Sequence, residues 1–230
     1  MRSLRCSSLR PDLSRLDHRI SRQPPSQRRF PRLPDRPRLV IATGNAGKLR
    51  EYRDLLADTG LELVAFDSEV DEVGKSYSEN AGLKAETALA RSGLPSLGDD
   101  SGLEVDALGG FPGIRSARLG PTQKERTAEL LHRLEGVPRP WSARFVCVIA
   151  LALPGQETRF FEGESRGEVV PEWRGEAGFG YDPIFLVPGT GKTFGEMPPE
   201  EKRRYSHRAR AARALLESGA LLSLSTRSVR

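Results

Sequence analysis

The sequence predicts an α/β fold, because apolar runs of strand length alternate with segments that carry apolar residues at helical spacing. Residues 38–42 form the first run, and a turn then leads to the helical series Leu49, Tyr52, Leu55 and Leu56. A run of apolar residues at successive positions, 145–153, is typical of a central strand buried on both faces. No internal repeat accompanies this alternation, so we expect an α/β domain rather than an array of repeats.

The first half of the chain is expected to form strand, helix, strand, helix and strand in that order. The first helix ends at Gly60, and residues 61–66 suit the second strand. Ser76, with Glu79 three residues later, gives the capping-box signal for the start of the next helix. Apolar and acidic residues then alternate over 103–107, as in a half-exposed strand.

The second half is expected to add three strands and two helices. Helical spacing of apolar residues covers 122–135 and 206–216. The apolar run 145–153 turns into a partner strand that contains Phe160, and a further strand covers 181–187.

The positive charge of the chain is concentrated at its beginning. The formal net charge is +5, but residues 1–38, with eleven Arg and three Asp, carry +8, which leaves −3 for the rest. The first segment has too little apolar patterning to offset its ordering entropy and is predicted to be disordered. We therefore divide the chain into an Arg/Pro-rich extension at 1–37, a globular domain at 38–220 and a flexible tail at 221–230. Because the domain itself is mildly acidic, we expect no nucleic-acid partner.

The sequence also carries no signal for a membrane or an oxidising compartment. It has no uninterrupted apolar run of about 18 residues, which a transmembrane helix would need, and its first residues lack the apolar core of a secretory signal. The two cysteines, Cys6 and Cys147, give neither a disulfide framework nor a metal-binding spacing. We expect a cytoplasmic protein with no membrane partner.

Two adjacent carboxylates, Asp99 and Asp100, follow a short apolar segment and run into Ser-Gly. Adjacent aspartates repel one another and are costly to desolvate unless a cation lies beside them, and Mg²⁺ is the obvious candidate. The nearby cluster of Glu69, Asp71 and Glu72 could supply another oxygen ligand. The alternatives are an Asx turn that ends a strand and a solvated acidic loop.

A phosphate site is suggested by the turn from Thr43 to Lys48. It lies between a predicted strand and a predicted helix, so backbone N–H groups and a lysine meet at a helix N-terminus, where anions are favoured. The alternative is a plain turn, in which Gly44 and Gly47 only provide conformational freedom.

Two further segments combine unusual residue types. Residues 178–185 interleave glycines, aromatic residues and a carboxylate; Phe179 and Tyr181 are more often core residues than platforms for a base, but the glycines permit close approach of a planar ligand. The sequence Ser206-His207-Arg208 is explained either as a polar helix start or as part of a site. A catalytic triad built on Ser101 is disfavoured, because no Gly-x-Ser-x-Gly pattern surrounds it.

Six motifs, taken in order, identify a family resemblance over roughly 38–219. They are Thr-Gly-Asn-x-x-Lys, Glu-Asn-Ala-x-x-Lys-Ala, Asp-Asp-Ser-Gly-Leu-x-Val, Pro-Gly-x-x-Ser-Ala-Arg, Gly-Phe-Gly-Tyr-Asp-Pro-Ile-Phe and Ser-His-Arg. This set closely resembles the noncanonical purine nucleoside triphosphate pyrophosphatases, the inosine triphosphatase family. The resemblance implies a two-lobed α/β fold with an elongated mixed β-sheet, an active-site cleft between the lobes, and a homodimer. It also implies Mg²⁺-dependent hydrolysis of ITP, dITP or XTP to the monophosphate and pyrophosphate, which cleanses the nucleotide pool.

The same resemblance implies roles for individual residues. The triphosphate would be held by Thr43, Gly44, Asn45, Ala46, Gly47 and Lys48. Glu72 and Asp100 would hold Mg²⁺, and Asp100 would also be the catalytic base for water. The nucleotide would contact Ser101, Phe179, Gly180, Tyr181, Asp182, Lys202, His207 and Arg208. The Arg-rich extension matches no motif of the family, and the segment after Arg118 looks shorter than usual.

Two rival functions stay open at this stage. A Maf-type pyrophosphatase would act on pyrimidine or modified nucleotides, and a nucleic-acid-binding protein would use the basic extension. Within the favoured reading, Arg208 could point its donor-only guanidinium at the purine 6-position, where hypoxanthine and xanthine carry an oxygen and adenine an amino group. Guanine also carries the 6-oxygen, so Arg208 alone would not exclude GTP.

Overall fold

A computed structural model describes residues 36–67, 70 and 73–225 of the chain. These residues form a mixed six-stranded sheet flanked by helices, which confirms the predicted fold class. The strands are β1 (Arg38–Ala42), β2 (Glu62–Phe66), β3 (Ser96–Val105), β4 (Trp141–Ala152), β5 (Arg159–Val169) and β6 (Phe185–Leu186). The helices are α1 (Ala46–Leu55), α2 (Tyr77–Ser92), α3 (Gln123–Arg133), α4 (Pro199–Tyr205), α5 (His207–Glu217) and α6 (Leu222–Ser225). No helix within the described ranges is long and apolar enough to cross a membrane.

The sheet has the strand order β2-β1-β3-β4-β5-β6. The first three strands run parallel to one another, and the remaining pairs are antiparallel. Strand β1 pairs with β3 only as far as Gly98, whereas β4 follows β3 over all ten of its residues, to Val105. One side of β3 is therefore free of a strand partner after Gly98, at the carboxyl end of β1, where open α/β sheets bind ligands.

The two ends of the long strands belong to two hydrophobic cores. The first contains Leu97 of β3 and Ile149 of β4, and the second contains Leu103 of β3 and Phe145 of β4. Since side chains alternate along a strand, the positions between Leu97 and Leu103 on this face are 99 and 101. Asp99 and Ser101 of the Asp-Asp-Ser motif therefore lie between the two cores, as expected for a cleft between two lobes.

The opposite face of the sheet is covered by α2. Its alanines Ala81 and Ala85 pack on Val148 and Ala150 of β4. The approach is close enough that a Cβ added at Gly98 would lie 2.2 Å from the carbonyl oxygen of Ala81. A glycine before the aspartate pair is thus required by helix–sheet packing.

Three sequence predictions need correction. The aspartate pair does not end a strand, because antiparallel pairing with Ile149 and Val148 carries β3 through it. The segment 181–187 is mainly a 3-10 turn, since only Phe185–Leu186 pairs with β5. The fold also extends past residue 220, because Leu221 and Leu224 are buried in the first core. The predicted extension up to residue 35 and the end of the predicted tail, 226–230, lie outside the described residues.

Candidate active site

The two consecutive aspartates of β3 face opposite sides of the sheet. Asp99 points toward α1 and α5, where it contacts Lys48 and Arg208. Asp100 points toward α2, where it contacts Asn80 and Lys84. Both are almost completely buried, with 2% and 5% of their surface exposed. Strand β3 thus presents one carboxylate on each face of the sheet.

Asp99 is held by four donors. One carboxylate oxygen pairs with the ammonium of Lys48. The other accepts from Arg208 Nε at 2.7 Å and from the Tyr52 hydroxyl at 2.6 Å, and the Cys147 thiol lies 3.4 Å away. Burial alone would raise the pKa of Asp99, but the charges of Arg208 and Lys48 outweigh it and hold the pKa well below its usual value. This carboxylate is therefore ionised and fully engaged within the protein.

Asp100 has a different set of neighbours. Lys84 Nζ lies 3.0 Å from one carboxylate oxygen, and Asn80 Nδ2 lies 3.1 Å from the other. Lys84 also donates to the carbonyl oxygen of Asp99 at 3.1 Å, and Lys48 donates to that same oxygen at 3.3 Å. Two ammonium groups therefore converge on one backbone oxygen, beside Asp100 and just beyond the end of β1. Each ammonium also pairs with a carboxylate, Lys48 with Asp99 and Lys84 with Asp100. Charged N–H donors held together in this way suit an anionic ligand.

The turn before α1 is organised by Asn45 at its N-cap. The Asn45 side chain accepts hydrogen bonds from the N–H groups of Gly47 at 2.8 Å and Lys48 at 3.2 Å, and its own N–H donates to the Thr43 hydroxyl. Gly44, Asn45 and Ala46 are exposed. Two of the helix N-terminal donors that the sequence assigned to phosphate are thus occupied by Asn45, and the Lys48 ammonium is the positive group that this turn brings to Asp99.

A cavity of about 180 Å³, here called the central cavity, collects most of the predicted nucleotide contacts. The predicted residues that line it are Asn45, Ser101, Phe179, Gly180, Tyr181, Asp182, Lys202, His207 and Arg208. Six further residues line the central cavity, and no role was predicted for them: Gly102, Ser116, Ala117, Gln123, Arg126 and Phe145. Thr43, Gly44, Ala46, Gly47 and Lys48 are not among the lining residues. Of the two predicted metal ligands, Asp100 lies on the α2 face of β3, and Glu72 lies outside the described residues.

Phe179 forms one wall of the central cavity and rests on the start of α1. A Cβ added at Gly47 would lie 2.5 Å from the Phe179 ring, so the glycine makes this contact possible. The Phe179 backbone N–H donates to Asp182 at 2.7 Å, and the same carboxylate accepts from Lys202 at 2.7 Å. Lys202 Nζ is also 5.0 Å from the centroid of the Phe179 ring. Tyr181 belongs to the second core and donates its hydroxyl proton to the carbonyl oxygen of Ser116 at 2.9 Å.

His207 and Arg208 begin α5 and are both buried. The His207 ring stacks on Phe145 with centroids 4.7 Å apart, and its Nδ1 has no hydrogen-bond partner among the described residues. Burial, together with the charge of Arg208, lowers the pKa of His207 well below its usual value, so the ring is neutral. Arg208 donates from Nε to Asp99, from one terminal nitrogen to Glu51 at 2.6 Å, and from the other to Ser101 at 2.8 Å. Its guanidinium therefore organises the site in addition to lining it.

Several site residues were missed by the sequence analysis. Glu51 and Tyr52 lie one helical turn after Lys48 and read locally as parts of an ordinary amphipathic helix. Asn80 and Lys84 lie within the quoted Glu-Asn-Ala-x-x-Lys-Ala motif, so the signal was present although no role was assigned to it. The partners of all four come from distant elements, which no local pattern reveals.

The oxygen ligands that the described residues offer near Asp100 meet only part of what Mg²⁺ requires. Within residues 36–67, 70 and 73–225, no group of three or more His, Cys, Asp or Glu side chains is placed to hold a metal ion. Magnesium at nucleotide sites is commonly bound by one or two carboxylates together with phosphate oxygens and water. Asp100 supplies one such carboxylate next to the two converging lysines, so the residues fit a metal that arrives with a polyphosphate.

Comparison with known proteins gives consistent matches. A model of the Ham1 family matches residues 39–218. A dITP/XTP pyrophosphatase of Gloeobacter violaceus is 53% identical over 180 residues, which cover 77% of this chain and 92% of that protein. One from Thermus thermophilus is 50% identical over 190 residues, covering 79% and 91%. A solved structure of a HAM1 protein from Coxiella burnetii superposes with a TM-score of 0.71 at 37% identity, covering 80% of this chain and 99% of that one.

Proposed function

Because the chain belongs to the Ham1 family, we propose that it hydrolyses noncanonical purine nucleoside triphosphates, namely dITP, XTP and ITP, to the monophosphate and pyrophosphate. The observation that carries this proposal is the meeting of Lys48 and Lys84 on the Asp99 carbonyl oxygen, directly beside Asp100 and close to the central cavity. Cations beside a carboxylate suit a polyphosphate, and an adjoining cavity with aromatic walls suits a base.

The two ends of the substrate would meet different residues. The triphosphate lies near Lys48 and Lys84, where positive charge stabilises the leaving pyrophosphate. The nucleoside lies in the central cavity, against the Phe179 ring and the polar wall formed by Lys202, His207 and Arg208. Holding both ends fixes the α-phosphate relative to β3, which lowers the entropic part of the barrier.

Asp100 is the proposed catalytic base. Its carboxylate orients a water molecule and accepts a proton as the water oxygen attacks the α-phosphate. Lys84 and Asn80 keep the carboxylate in place from the α2 side. Asp99 is unsuited to this role, because four donors, two of them cations, already occupy its two oxygens.

Magnesium is the proposed cofactor, held by Asp100 together with Glu72 of the acidic loop. When bound, Mg²⁺ draws negative charge from the phosphate oxygens and orients them for displacement.

We further propose that the protein is a cytoplasmic homodimer. This state is what the family resemblance implies, and light scattering coupled to size-exclusion chromatography measures the mass directly.

The decisive experiment measures pyrophosphate release from a panel of nucleotides with and without Mg²⁺. We expect ITP, dITP and XTP to be hydrolysed at least about 100-fold more efficiently than ATP, since an unmatched donor or acceptor in the cavity is costly. Omission of Mg²⁺ should abolish turnover. Preferential hydrolysis of pyrimidine triphosphates would instead indicate a Maf-type activity, and absence of turnover on all substrates would refute the proposal.

A further inference from the structure

Glu51 connects two cations of the central cavity without lining that cavity. It lies on α1, and one of its carboxylate oxygens accepts from Lys202 at 2.7 Å while the other accepts from Arg208 at 2.6 Å. Lys202 and Arg208 both line the central cavity, whereas Glu51 does not. Among the described residues, no other carboxylate contacts both of these cations.

Glu51 lines a different cavity from the one that collects the predicted nucleoside contacts. This second cavity of about 160 Å³, here called the rear cavity, is lined by Glu51, Asp54 and Arg50 among others. The two cavities share only Phe179 and Lys202 among their lining residues. Glu51 therefore contacts the two cations without being part of the wall proposed to face the nucleoside.

Both cations keep donors for a ligand while Glu51 holds them. The Lys202 ammonium has three N–H bonds, of which two are directed at Glu51 and Asp182. The Arg208 guanidinium has five, of which three are used by Asp99, Glu51 and Ser101. Fixing the used donors also fixes the direction of the remaining ones, and this is how a rigid polar wall discriminates between bases.

We propose that Glu51 is a positioning residue for nucleoside recognition, which holds Lys202 and Arg208 at a set separation and orientation toward the central cavity. The inference rests on the proposed function and extends it to a residue that does not touch the substrate. Its effect is on binding in the ground state and transition state alike, so it acts mainly on KM.

The charge of Glu51 also influences how Lys202 titrates. Burial raises the pKa of Glu51, but Arg208 and Lys202 outweigh it and lower the pKa to about 2, so the carboxylate is ionised at all working pH values. Burial lowers the pKa of Lys202, whereas Asp182 and Glu51 raise it by more, with a net increase. The other charged or titratable groups of this network are Arg208 and His207 of α5 and Asp99 of β3, which pairs with Arg208. Removal of the Glu51 charge should therefore lower the pKa of Lys202.

The test compares Glu51→Gln with Asp54→Asn, which removes the same charge from the same helix beside the same rear cavity. A glutamine oxygen can accept from one cation, but its amide nitrogen faces the other donor. We expect Glu51→Gln to raise KM for ITP at least about tenfold, with kcat changed less than about threefold. The alkaline limb of the kcat/KM profile against pH should move at least about one unit lower. Asp54→Asn should match the wild type in all three quantities.

Glu51→Asp serves as the second variant, and it decides the matter if the glutamine variant does not fold. It keeps the charge but is one methylene shorter, so it can hold only one cation; KM should rise while the alkaline limb moves less than in Glu51→Gln. A folded Glu51 variant with wild-type KM would overturn the inference. Wild-type protein without pyrophosphatase activity would count against the proposed function alone, and the affinities of the same proteins for ITP, measured by calorimetry, would then decide the role of Glu51.

Discussion

Asp99 and Asp100 are adjacent, identical in type and almost equally buried, yet their surroundings differ in kind. Asp99 receives donors from α1, α5 and β4, which are Lys48, Tyr52, Arg208 and the Cys147 thiol. Asp100 receives donors from α2, through Asn80 and Lys84. The first carboxylate ties three elements together, and the second contacts the helix that covers the opposite face of the sheet.

The difference follows from the alternation of side chains in β3. A shift of one residue moves a carboxylate from the face between the two cores to the face covered by α2. The same chemical group therefore acts as a structural counter-ion on one face and is proposed as a reactive group on the other. Burial does not distinguish these roles; the two cations that Asp99 receives from different helices, Lys48 and Arg208, mark it as a counter-ion.

Substitution of each aspartate by asparagine should separate the two roles. Asp100→Asn keeps the shape but removes the proposed base and metal ligand, so kcat should fall about 10³-fold with little change in melting temperature. Asp99→Asn leaves Lys48 without its carboxylate partner and Arg208 with Glu51 alone, which should cost about 3–5 kcal/mol of stability. The measurements are pyrophosphate release and thermal unfolding of both variants.

The contrast would fail in either of two ways. Turnover of Asp100→Asn within about threefold of wild type would remove Asp100 from catalysis. A melting temperature of Asp99→Asn equal to that of wild type would show that the Asp99 network contributes little to folding.

Substitution of Arg208 tests whether this partner of Asp99 also discriminates between purine bases. An alanine at this position would release Asp99, Glu51 and Ser101 together, so we choose Arg208→Lys, which keeps the charge but loses the planar fork. If the guanidinium donates to the purine 6-oxygen, this variant should narrow the ratio of ITP to ATP activity at least about tenfold and the ratio of ITP to GTP much less. Arg210→Lys on the same helix is the control, because Arg210 is exposed and bonds only the Glu164 carbonyl oxygen among the described residues. An unchanged preference for ITP over ATP in Arg208→Lys would exclude base reading by this residue.

The sequence was sufficient for the fold class and for the elements that local signals define. The first helix was expected after the Thr43–Lys48 turn, and a helix begins there at Ala46; the capping-box signal at Ser76 and Glu79 marks the start of α2. The full length of β3 could not be predicted, because an aspartate pair is a poor strand former and only pairing with β4 carries the strand through it. Residues 221–225 were also misread, since burial against distant elements leaves no local mark.

The candidate site was predictable where motifs are contiguous and not where it depends on tertiary contacts. The segment from Phe179 to Asp182 and the pair His207 and Arg208 line the central cavity together, and their contact with a nucleotide stays a prediction. Glu51 was not foreseen, because its partners Lys202 and Arg208 are more than 150 residues away. The motif-based assignment of phosphate to backbone donors overlooked that Asn45 already caps two of them.

The smallest expected effect is that of His207 on the pH dependence of the free energy of unfolding. The pH range of this effect distinguishes it from the contribution of Asp99. The ring is buried and neutral, because burial and the charge of Arg208 lower its pKa, whereas the unfolded chain takes up a proton near pH 6.5. Below that pH the unfolded state binds more protons than the folded state, so the free energy of unfolding should fall by up to about 1.4 kcal/mol per pH unit. Asp99 also has a lowered pKa, but its contribution is present above its unfolded value of about 3.9 and is lost only as the pH falls further. Glu51, whose pKa is lowered to about 2, begins to contribute only as the pH approaches the unfolded value of about 4.3. Urea unfolding between pH 7.5 and about 5.5 therefore isolates His207 from both carboxylates. His207→Phe, which preserves a ring against Phe145, should reduce the slope, and His132→Gln on the exposed face of α3 should leave it in place. A slope that persists undiminished in His207→Phe would mean that another group takes up the proton.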